Sequence, residues 1–308
     1  MRFSLGLLLA LLGLALVVPT APAATRVLGV GEQGSKLFSD SAWLSLGLRD
    51  VRLVVSWDAV RNPFEIGEID AYMAAAQATN ARVLVAFGRS RVSSKRRILP
   101  TPSRYRSAVR AFQRRWPYAN SFTAWNEANH CSQPTCNQPA RAAAYFDVVR
   151  SECPRCKVVA ADVLDIPNMV SWLRRFRRAA RHRPRIWGLH NYLDSNRFST
   201  KGTRALLRTV GGEVWFTETG GLVKRAPRSV IRFRPSLTHA ARATEWVFRR
   251  LVPLSPRVRR VYLYQWRPGS DAEAVWDSGL VDRDGRPRPA YDVFRTWVIR
   301  FARERRPT

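Results

Sequence analysis

The chain has 308 residues, of which 52 are lysine or arginine and 23 are aspartate or glutamate, so its formal net charge is +29. A charge of this size attracts polyanions over long range, which makes nucleic acid and anionic cell-wall polymers candidate partners. The basic residues are nevertheless spread along the whole chain, without an RNP, zinc-finger or helix-turn-helix pattern. We therefore expect no specific nucleic-acid binding, and attribute most of the charge to GC-rich codon usage and solvated helix faces.

Residues 1–23 have the pattern of a secretory signal peptide. Arg2 precedes an apolar stretch from Leu5 to Val18, and small residues follow it at Ala21 and Ala23. We expect cleavage after Ala23, which leaves residues 24–308 as a secreted or cell-wall-associated monomer. An uncleaved membrane anchor is the alternative, although the stretch is short for a bilayer and no later segment approaches the roughly 20 apolar residues of a transmembrane helix.

Eight short apolar runs follow, and each precedes a segment of helical character. Runs such as Val83 to Phe87 are continuously apolar, which is typical of parallel strands covered on both faces. The predicted strands are Arg26–Gly31, Val51–Trp57, Arg82–Gly88, Ser121–Trp125, Lys157–Ala161, Arg185–His190, Glu213–Thr217 and Arg259–Trp266. Eight strands alternating with eight helices predict a single α/β domain, a closed (β/α)8 TIM barrel over residues 24–308.

The predicted helices lie between these strands and after the last one. They are amphipathic, as in the third helical segment, where Val109, Phe112 and Trp116 share one face and basic residues take the other. The remaining segments are Lys36–Leu46, the region around Ile69–Ala76, Pro139–Ser151, Asn168–Arg181, Thr203–Val210, Thr238–Leu251 and Pro289–Arg303.

A dinucleotide-binding pattern is present but weak. Gly29, Gly31 and Gly34 have the G-x-G-x-x-G spacing. The strand before them is short, and the acidic residue near the end of the second strand, Asp58, lies just past Trp57. We therefore expect no nucleotide cofactor.

The four cysteines form two close pairs in the sequence, Cys131 with Cys136 and Cys153 with Cys156. An even number of cysteines in an exported chain favours disulfides. The predicted helix over 139–151 is roughly 20 Å long at 1.5 Å per residue, so local pairing is favoured and a site made of all four thiolates is not. A redox role for the C-x-x-C pair is disfavoured, because the pair follows a helix instead of preceding one.

The active site of such a barrel lies at the carboxyl ends of its strands. Carboxylates, amides and aromatic rings dominate there in this chain, a mixture that suits a sugar, whose hydroxyls need hydrogen-bonding groups and whose C–H faces stack on rings. These residues are Glu32, Gln33, Trp57, Asp58, Gly88, Arg89, Asn126, Glu127, Asp162, Asp165, His190, Tyr192, Glu218, Gln265 and Trp266.

The order of these motifs resembles the clan A glycoside hydrolases, retaining (β/α)8 enzymes in which an Asn-Glu pair ends strand four and a second glutamate ends strand seven. Here the pair is Asn126 with Glu127, and the second glutamate is Glu218. The resemblance implies that Glu127 is the acid/base, that Glu218 is the nucleophile and that Asn126 binds the hydroxyl beside the anomeric carbon. The other expected substrate-binding residues are Arg52, Trp57, His190, Tyr192 and Trp266, with Trp266 as the platform under the sugar.

The two glutamates need different environments for these roles. Glu127 must hold a proton for the leaving oxygen, and we expect the negative charge of Glu218 to raise the pKa of Glu127. Arg52 and the Tyr192 hydroxyl are expected to favour the charged form of Glu218. Carboxyl groups about 5 to 5.5 Å apart predict retention of configuration and about 6.5 to 9.5 Å predict inversion; we expect retention.

The segments expected to border the substrate cleft contain no recognisable specificity motif. The loop with Cys131 and Cys136 and the stretch 222–235 are expected to border the cleft. An arginine cluster after strand three is either a contact for an acidic sugar or simply solvated; its members are Arg89, Arg91, Arg96 and Arg97.

The leading hypothesis is an exported glycosidase that cleaves a β-linked saccharide by double displacement, without cofactor. Each glutamate alone has a plainer interpretation as an acid at a helix N-terminus. The alternative is a barrel that binds carbohydrate or cell wall with little or no catalysis, and a third hypothesis is a basic nucleic-acid-binding protein. We expect no metal, because the other histidines, His130, His182 and His239, fall on loops or helices and leave His190 without histidine partners.

Overall fold

The computed structural model describes residues 26–226, 229, 231–269 and 275–304, so the expected leader lies outside the described residues. Nine parallel strands form one sheet in the order β5-β4-β3-β2-β1-β10-β8-β7-β6, and β9 and β11 form a separate antiparallel pair. The strands are β1 (Val27–Gly31), β2 (Asp50–Ser56), β3 (Arg82–Gly88), β4 (Ser121–Thr123), β5 (Lys157–Val159), β6 (Asp162–Leu164), β7 (Ile186–His190), β8 (Glu213–Thr219), β9 (Lys224–Arg225), β10 (Val258–Tyr264) and β11 (Trp276–Asp277).

The short strands β5 and β6 are two pieces of one extended segment, residues 157–164, which closes the sheet into a ring. On one side the Asp162 N–H donates to the Trp125 carbonyl at 3.0 Å, in line with the pairing of β4 and β5. On the other side the Gly188 N–H donates to the Ala161 carbonyl at 3.1 Å, in line with the pairing of β6 and β7. The ring therefore has eight strand positions, the fifth interrupted, and the predicted (β/α)8 barrel is confirmed.

Helices cover the outside of the ring. They are α1 (Ser41–Ser45), α2 (Pro63–Ala78), α3 (Pro102–Arg115), α4 (Pro139–Glu152), α5 (Met169–Ala179), α6 (Tyr192–Asn196), α7 (Lys201–Thr209), α8 (Leu237–Trp246) and α9 (Pro289–Arg303). A 3₁₀ turn over Ser35–Ser39 precedes α1, and α8 continues as one π-helical turn over Val247–Leu251. The short helix α6 was not predicted, and it lies beside the site described below.

Local sequence explains where several of these helices begin. The Asn62 side chain accepts the Phe64 N–H at the start of α2 (3.2 Å), and the Thr101 side chain accepts the Arg104 N–H at the start of α3 (3.3 Å). A proline follows each cap, where its missing N–H costs no hydrogen bond and its fixed φ suits the first helical turn.

The barrel interior is closed by side chains from strands on different sides of the ring. Leu84, Val159, Trp215 and Tyr262 contact one another across it as a separate apolar cluster, distinct from the larger core between strands and helices. Since these rings and methyl groups fill the lumen, the polar residues nearer the carboxyl ends of the strands open to one side only.

Both cysteine pairs are disulfides, as predicted from their spacing. Cys131–Cys136 closes a loop after β4, and Cys153–Cys156 follows α4, with Cα atoms 4.8 and 5.3 Å apart. Among the described residues, none of the helices has the length and apolar composition to cross a bilayer.

Candidate active site

A cleft of about 660 Å³ lies at the carboxyl ends of the strands. Asn126 and Glu127 reach it directly after β4, Glu218 from the end of β8, and Tyr192 from α6. Glu127 has a φ of +48°, a left-handed conformation that is uncommon for glutamate. Such backbone geometry concentrates at functional sites, because surrounding contacts must hold it in place.

The structure brings Glu127 and Glu218 together although 90 residues separate them in the sequence. One oxygen from each carboxylate and a ring nitrogen of His190 lie within 4.8 Å of one another. The Glu127 side chain is 24% exposed and that of Glu218 is 8% exposed. Both carboxylates therefore border one small space in the cleft, with the imidazole below them.

Arg52 holds this arrangement from inside the barrel. Its side chain is fully buried, and its Nη1 donates to Glu218 Oε1 at 2.5 Å. Its Nη2 donates to Asn126 Oδ1 and to Asp162 Oδ2, both at 2.6 Å. Although burial alone would lower the pKa of Arg52, the charges of Glu218 and Asp162 raise it further, so the guanidinium stays charged. One cation thus orients Glu218 and Asn126 together.

Asp162 was predicted to lie at a strand end but was assigned no role. In the structure it is a fully buried partner of Arg52. Besides Arg52, it accepts the Thr217 hydroxyl at 2.7 Å. Burial raises the pKa of Asp162, but Arg52 and His190 lower it more, so the carboxylate is ionised. Gly188 leaves room for it, because a Cβ there would lie 1.9 Å from Asp162 Oδ1. The glycine at position 188, within a predicted strand, was the sequence feature that could have indicated a bulky buried side chain beside it.

His190 lies between all three carboxylates. Its Nδ1 is 3.5 Å from Glu127 Oε1 and 3.6 Å from Glu218 Oε2, and its Nε2 is 3.6 Å from Asp162 Oδ2. Burial lowers the pKa of His190, but Glu218, Asp162 and Glu127 raise it to about 9. At neutral pH the ring is therefore an imidazolium ion.

The pKa of Glu127 is lowered, which corrects the expectation that Glu218 would raise it. Burial does raise this pKa, but the hydrogen bond and positive charge of His190 lower it more, with smaller contributions from His130 and Arg52. In the free protein the proton therefore rests on His190, and Glu127 is ionised.

Tyr192 contacts Glu218 from the opposite side to Arg52. Its hydroxyl donates to Glu218 Oε2 at 3.3 Å. Burial, with the negative charge of Glu218, raises the pKa of Tyr192 well above its ordinary value, so the hydroxyl keeps its proton and acts as a donor. The Trp276 ring packs edge-on against Tyr192, with ring centres 4.7 Å apart.

Glu127, His190 and Glu218 are close enough to act as ligands of one metal ion. The protonation state of the site disfavours metal binding. The His190 imidazolium has no free lone pair, and the positive charge of Arg52 is already paired with Glu218. The same three groups are well placed to move a proton.

Four predicted substrate-binding residues do not line the cleft, which corrects their assignment: Arg52 and His190 are fully buried against the carboxylates described above, and two tryptophans lie elsewhere. Trp266 is 1% exposed, donates to Asp40 Oδ2 at 3.0 Å and packs edge-on against Trp43. Trp57 is 3% exposed and belongs to the main apolar core. Both rings therefore pack between strands and helices, where a sugar has no access.

The aromatic ring that borders the cleft at the end of β10 is that of Tyr264, two residues before Trp266. Tyr262 faces the barrel lumen, and residues two apart in a strand share a face, so this period-two relation indicated Tyr264. The strand ends at Tyr264, so the alternation does not extend to Trp266.

The chain is similar to known proteins at the level of structure. No protein-family profile matches the sequence, and no curated protein matches it closely. A GH5_18 protein from Streptomyces cattleya, in complex with GlcNAc, has 18% identity and a TM-score of 0.64, covering 93% of this chain and 82% of that one. Xylanase 10B from Thermotoga maritima has 11% identity and a TM-score of 0.64, covering 92% and 98%.

A third similar structure is a GH128 endo-β-1,3-glucanase from Amycolatopsis mediterranei, in complex with laminaripentaose. It has 17% identity and a TM-score of 0.59, and the match covers 88% of this chain and 98% of that one. The chain therefore shares the (β/α)8 barrel fold of glycoside hydrolases from several families.

Proposed function

We propose that this protein is a secreted, retaining glycoside hydrolase that cleaves a β-glycosidic bond by double displacement. The observation that carries the proposal is the pair of carboxylates in one cleft, with oxygens of Glu127 and Glu218 within 4.8 Å. This upper limit supports the short spacing of retaining enzymes, about 5 to 5.5 Å between carboxyl groups, over the roughly 6.5 to 9.5 Å that accommodates a water in inverting enzymes. The signal-like pattern of residues 1–23 and the two disulfides support secretion.

In the first step Glu218 is the nucleophile. Its carboxylate oxygen bonds to the anomeric carbon while the bond from that carbon to the leaving oxygen breaks, and Glu127 gives its proton to that oxygen. In the second step Glu127 takes a proton from water, whose oxygen bonds to the anomeric carbon and releases Glu218. Arg52 and Tyr192 each donate to a different Glu218 oxygen, which holds the carboxylate in one orientation.

The proton for the first step comes from within the site. Glu127 is ionised in the free protein and His190 carries a proton 3.5 Å away. A bound sugar displaces water from Glu127 and so favours its neutral form. We propose that the His190 proton then moves to Glu127, so that substrate binding itself prepares the acid.

Activity on aryl β-glycosides tests these roles. We expect Glu218→Ala to lower kcat/KM by roughly 10⁴-fold or more on every substrate, because the nucleophile is gone. We expect Glu127→Ala to lower it by roughly 10²- to 10⁴-fold on poor leaving groups and much less on activated ones, which need little acid help. Equal, unimpaired turnover in the wild type and both variants would refute the assignment.

The stereochemistry is tested separately by proton NMR of the first product released. Retention gives the β-anomer first, followed by slow mutarotation in water. If the α-anomer appears first, the double displacement is wrong even though the two carboxylates catalyse hydrolysis.

A barrel that binds carbohydrate without cleaving it is the second candidate, and the ionised state of Glu127 in the free protein favours it. Calorimetry with β-linked oligosaccharides, run beside the hydrolysis assay, separates the two. Binding without any product after long incubation supports this second candidate.

A further inference from the structure

Three arginines border the cleft without a carboxylate partner among the described residues. They are Arg89 and Arg96, which follow β3, and Arg225 on β9. Arg89 donates to the Ser132 carbonyl at 2.6 Å. Because a carbonyl is a neutral acceptor, this hydrogen bond does not neutralise the charge of Arg89. The neighbouring Arg91 differs, because its Nη1 lies 2.5 Å from Glu68 Oε2.

Arg225 is held in place by two contacts. Its guanidinium carbon lies 4.4 Å from the centre of the Trp276 ring, and its Nε donates to Ser229 Oγ at 3.0 Å. Neither Nη1 nor Nη2 donates to any residue that the structure describes. This half-buried, stacked guanidinium lines the cleft, and its four Nη N–H groups have no protein acceptor in that part of the chain.

Burial distinguishes Arg225 from the many unpaired arginines on the surface of this basic protein. Burial lowers the pKa of Arg225, and the negative charge of Glu127 only partly opposes this effect. Desolvation without a carboxylate partner is unfavourable for a cation, and an anionic ligand would relieve it. Arg225 is also linked to the reacting groups, since Trp276 contacts both Arg225 and Tyr192, and the Tyr192 hydroxyl donates to Glu218.

The acidic residues in the cleft do not cancel these cations. Glu218 is paired with Arg52, and Glu127 faces the imidazolium of His190. Burial raises the pKa of Asp165 to about 7, so this carboxyl is largely uncharged in mildly acidic solution. With buried Asp162, these catalytic groups sum to one negative charge, so the three unpaired arginines leave the cleft as a whole with a net positive charge.

We propose that the natural substrate is an anionic β-glycan and that Arg225 binds an acidic substituent of the sugar beside the scissile bond. The substituent is a carboxylate, sulfate or phosphate group, which a guanidinium binds through paired N–H donors. Arg89 and Arg96 extend the same preference along the cleft. This inference rests on the proposed function, because it names the substrate class of that site.

Matched glycans that differ only in the acidic group test the proposal. The probes are β-1,4-glucan and β-1,4-mannan oligosaccharides, their 6-carboxyl forms, and their 6-sulfated and 6-phosphorylated forms. Hydrolysis is measured with the wild type, Arg225→Gln and Arg250→Gln. Arg250 is the matched control, because its guanidinium lies 5.4 Å from the Trp246 ring centre but does not line the cleft.

We expect the wild type to prefer an acidic member of a pair over its neutral form. Arg225→Gln should lower kcat/KM on that acidic glycan by roughly 10- to 100-fold, change the neutral one less than threefold, and Arg250→Gln should change neither. The three acidic forms show which substituent is recognised. Preference for neutral glycans, or an unchanged preference in Arg225→Gln, overturns the inference and leaves the proposed function intact.

Binding keeps the inference testable if no glycan is cleaved, an outcome that counts against the proposed function alone. Calorimetry with Glu127→Gln, at constant ionic strength, should show tighter binding of acidic than neutral oligosaccharides, and adding Arg225→Gln should remove the difference. No difference between the members of each pair overturns the inference. Binding of a single-stranded DNA oligonucleotide as tight as that of the best acidic glycan also overturns it, because the cleft would then respond to charge without recognising a sugar.

Discussion

The barrel contains two ionic clusters, one toward each end, and both include an inward-facing residue of β2. Toward the amino ends of the strands, Asp50 accepts from Arg82 and from Arg260, the latter at 2.8 Å. Toward the carboxyl ends, Arg52 donates to Asp162 and Glu218. The first cluster surrounds an acid with two bases, and the second surrounds a base with several acids.

The two clusters differ most in their access to water. The side chain of Arg82 is 59% exposed, whereas that of Arg52 is fully buried. Water can solvate the excess positive charge at the amino end, so that cluster has a structural role. At the carboxyl end the excess negative charge is buried, and the protein compensates by protonating His190. Burial of unequal charge therefore produces the proton that the proposed mechanism uses.

The largest expected effect comes from removing the central cation. Arg52→Met should lower the free energy of unfolding by about 3 to 5 kcal/mol, because Asp162 and Glu218 stay buried without their guanidinium partner. Activity should fall by at least about 10³-fold, since Glu218 and Asn126 lose their common donor. Urea denaturation and steady-state kinetics measure the two effects.

Arg82→Met is the matched control at the other end, because Asp50 keeps Arg260 and the lost partner is exposed. It should cost less than about 1 kcal/mol and leave kcat/KM unchanged. Comparable losses of unfolding free energy and of kcat/KM in Arg52→Met and Arg82→Met would show that the two ionic clusters do not differ in role.

The second prediction concerns pH. The folded-state pKa of His190 is about 9, raised from 6.5, so its stabilising contribution is complete below pH 6.5 and is lost as the pH rises to about 9. The free energy of unfolding should fall by about 3 kcal/mol across this range, and His190→Asn should flatten the curve. Denaturation at half-unit pH steps measures it; an equally steep fall in His190→Asn would contradict the assignment.

A third prediction compares one glycine from each end. Gly188→Ala places a methyl group 1.9 Å from Asp162 Oδ1, whereas Gly29→Ala places one 2.3 Å from the Asp50 carbonyl oxygen. Both should lower the free energy of unfolding by about 1 to 3 kcal/mol through overpacking. Only Gly188→Ala should also reduce kcat, because only Asp162 is linked to the catalytic pair; a reduced kcat in folded Gly29→Ala would contradict this.

The smallest expected effect tests whether every residue near the carboxyl ends is functional. Trp266→Phe removes the hydrogen bond to Asp40 and should lower the free energy of unfolding by about 1 to 2 kcal/mol. Its kcat/KM should stay within twofold of the wild type, because the ring does not line the cleft. Tyr264→Ala is the contrasting variant, because Tyr264 lines the cleft. A larger loss of kcat/KM in Trp266→Phe than in Tyr264→Ala would support Trp266 as the ring that stacks under the sugar.

Most of the fold followed from local patterns. Continuous apolar runs such as Val83 to Phe87 indicated buried parallel strands, and amphipathic spacing such as that of Val109, Phe112 and Trp116 indicated the helices. The interruption between β5 and β6 had no local signal, because it depends on how the segment pairs with β4 on one side and β7 on the other.

The site was predicted less completely. The positions of Glu127 and Glu218 at strand ends followed from the order of the motifs, but the choice between Tyr264 and Trp266 depended on where β10 leaves the barrel. The pKa of Glu127 was expected to rise because one neighbouring charge was considered. The pKa is lowered instead, because His190 lies beside Glu127, and the two residues approach each other only in the folded chain.

By itself, the sequence determined the number and order of the strands, the helices between them, the local disulfides and the presence of a glutamate at each of two strand ends. These are properties of short segments, set by hydrophobic periodicity, turn chemistry and chain length. The tertiary structure alone decided which side chains share the lumen, which rings face the cleft and where the proton rests. Those properties depend on distances and burial among residues far apart in the chain, because electrostatic and packing energies change steeply with both.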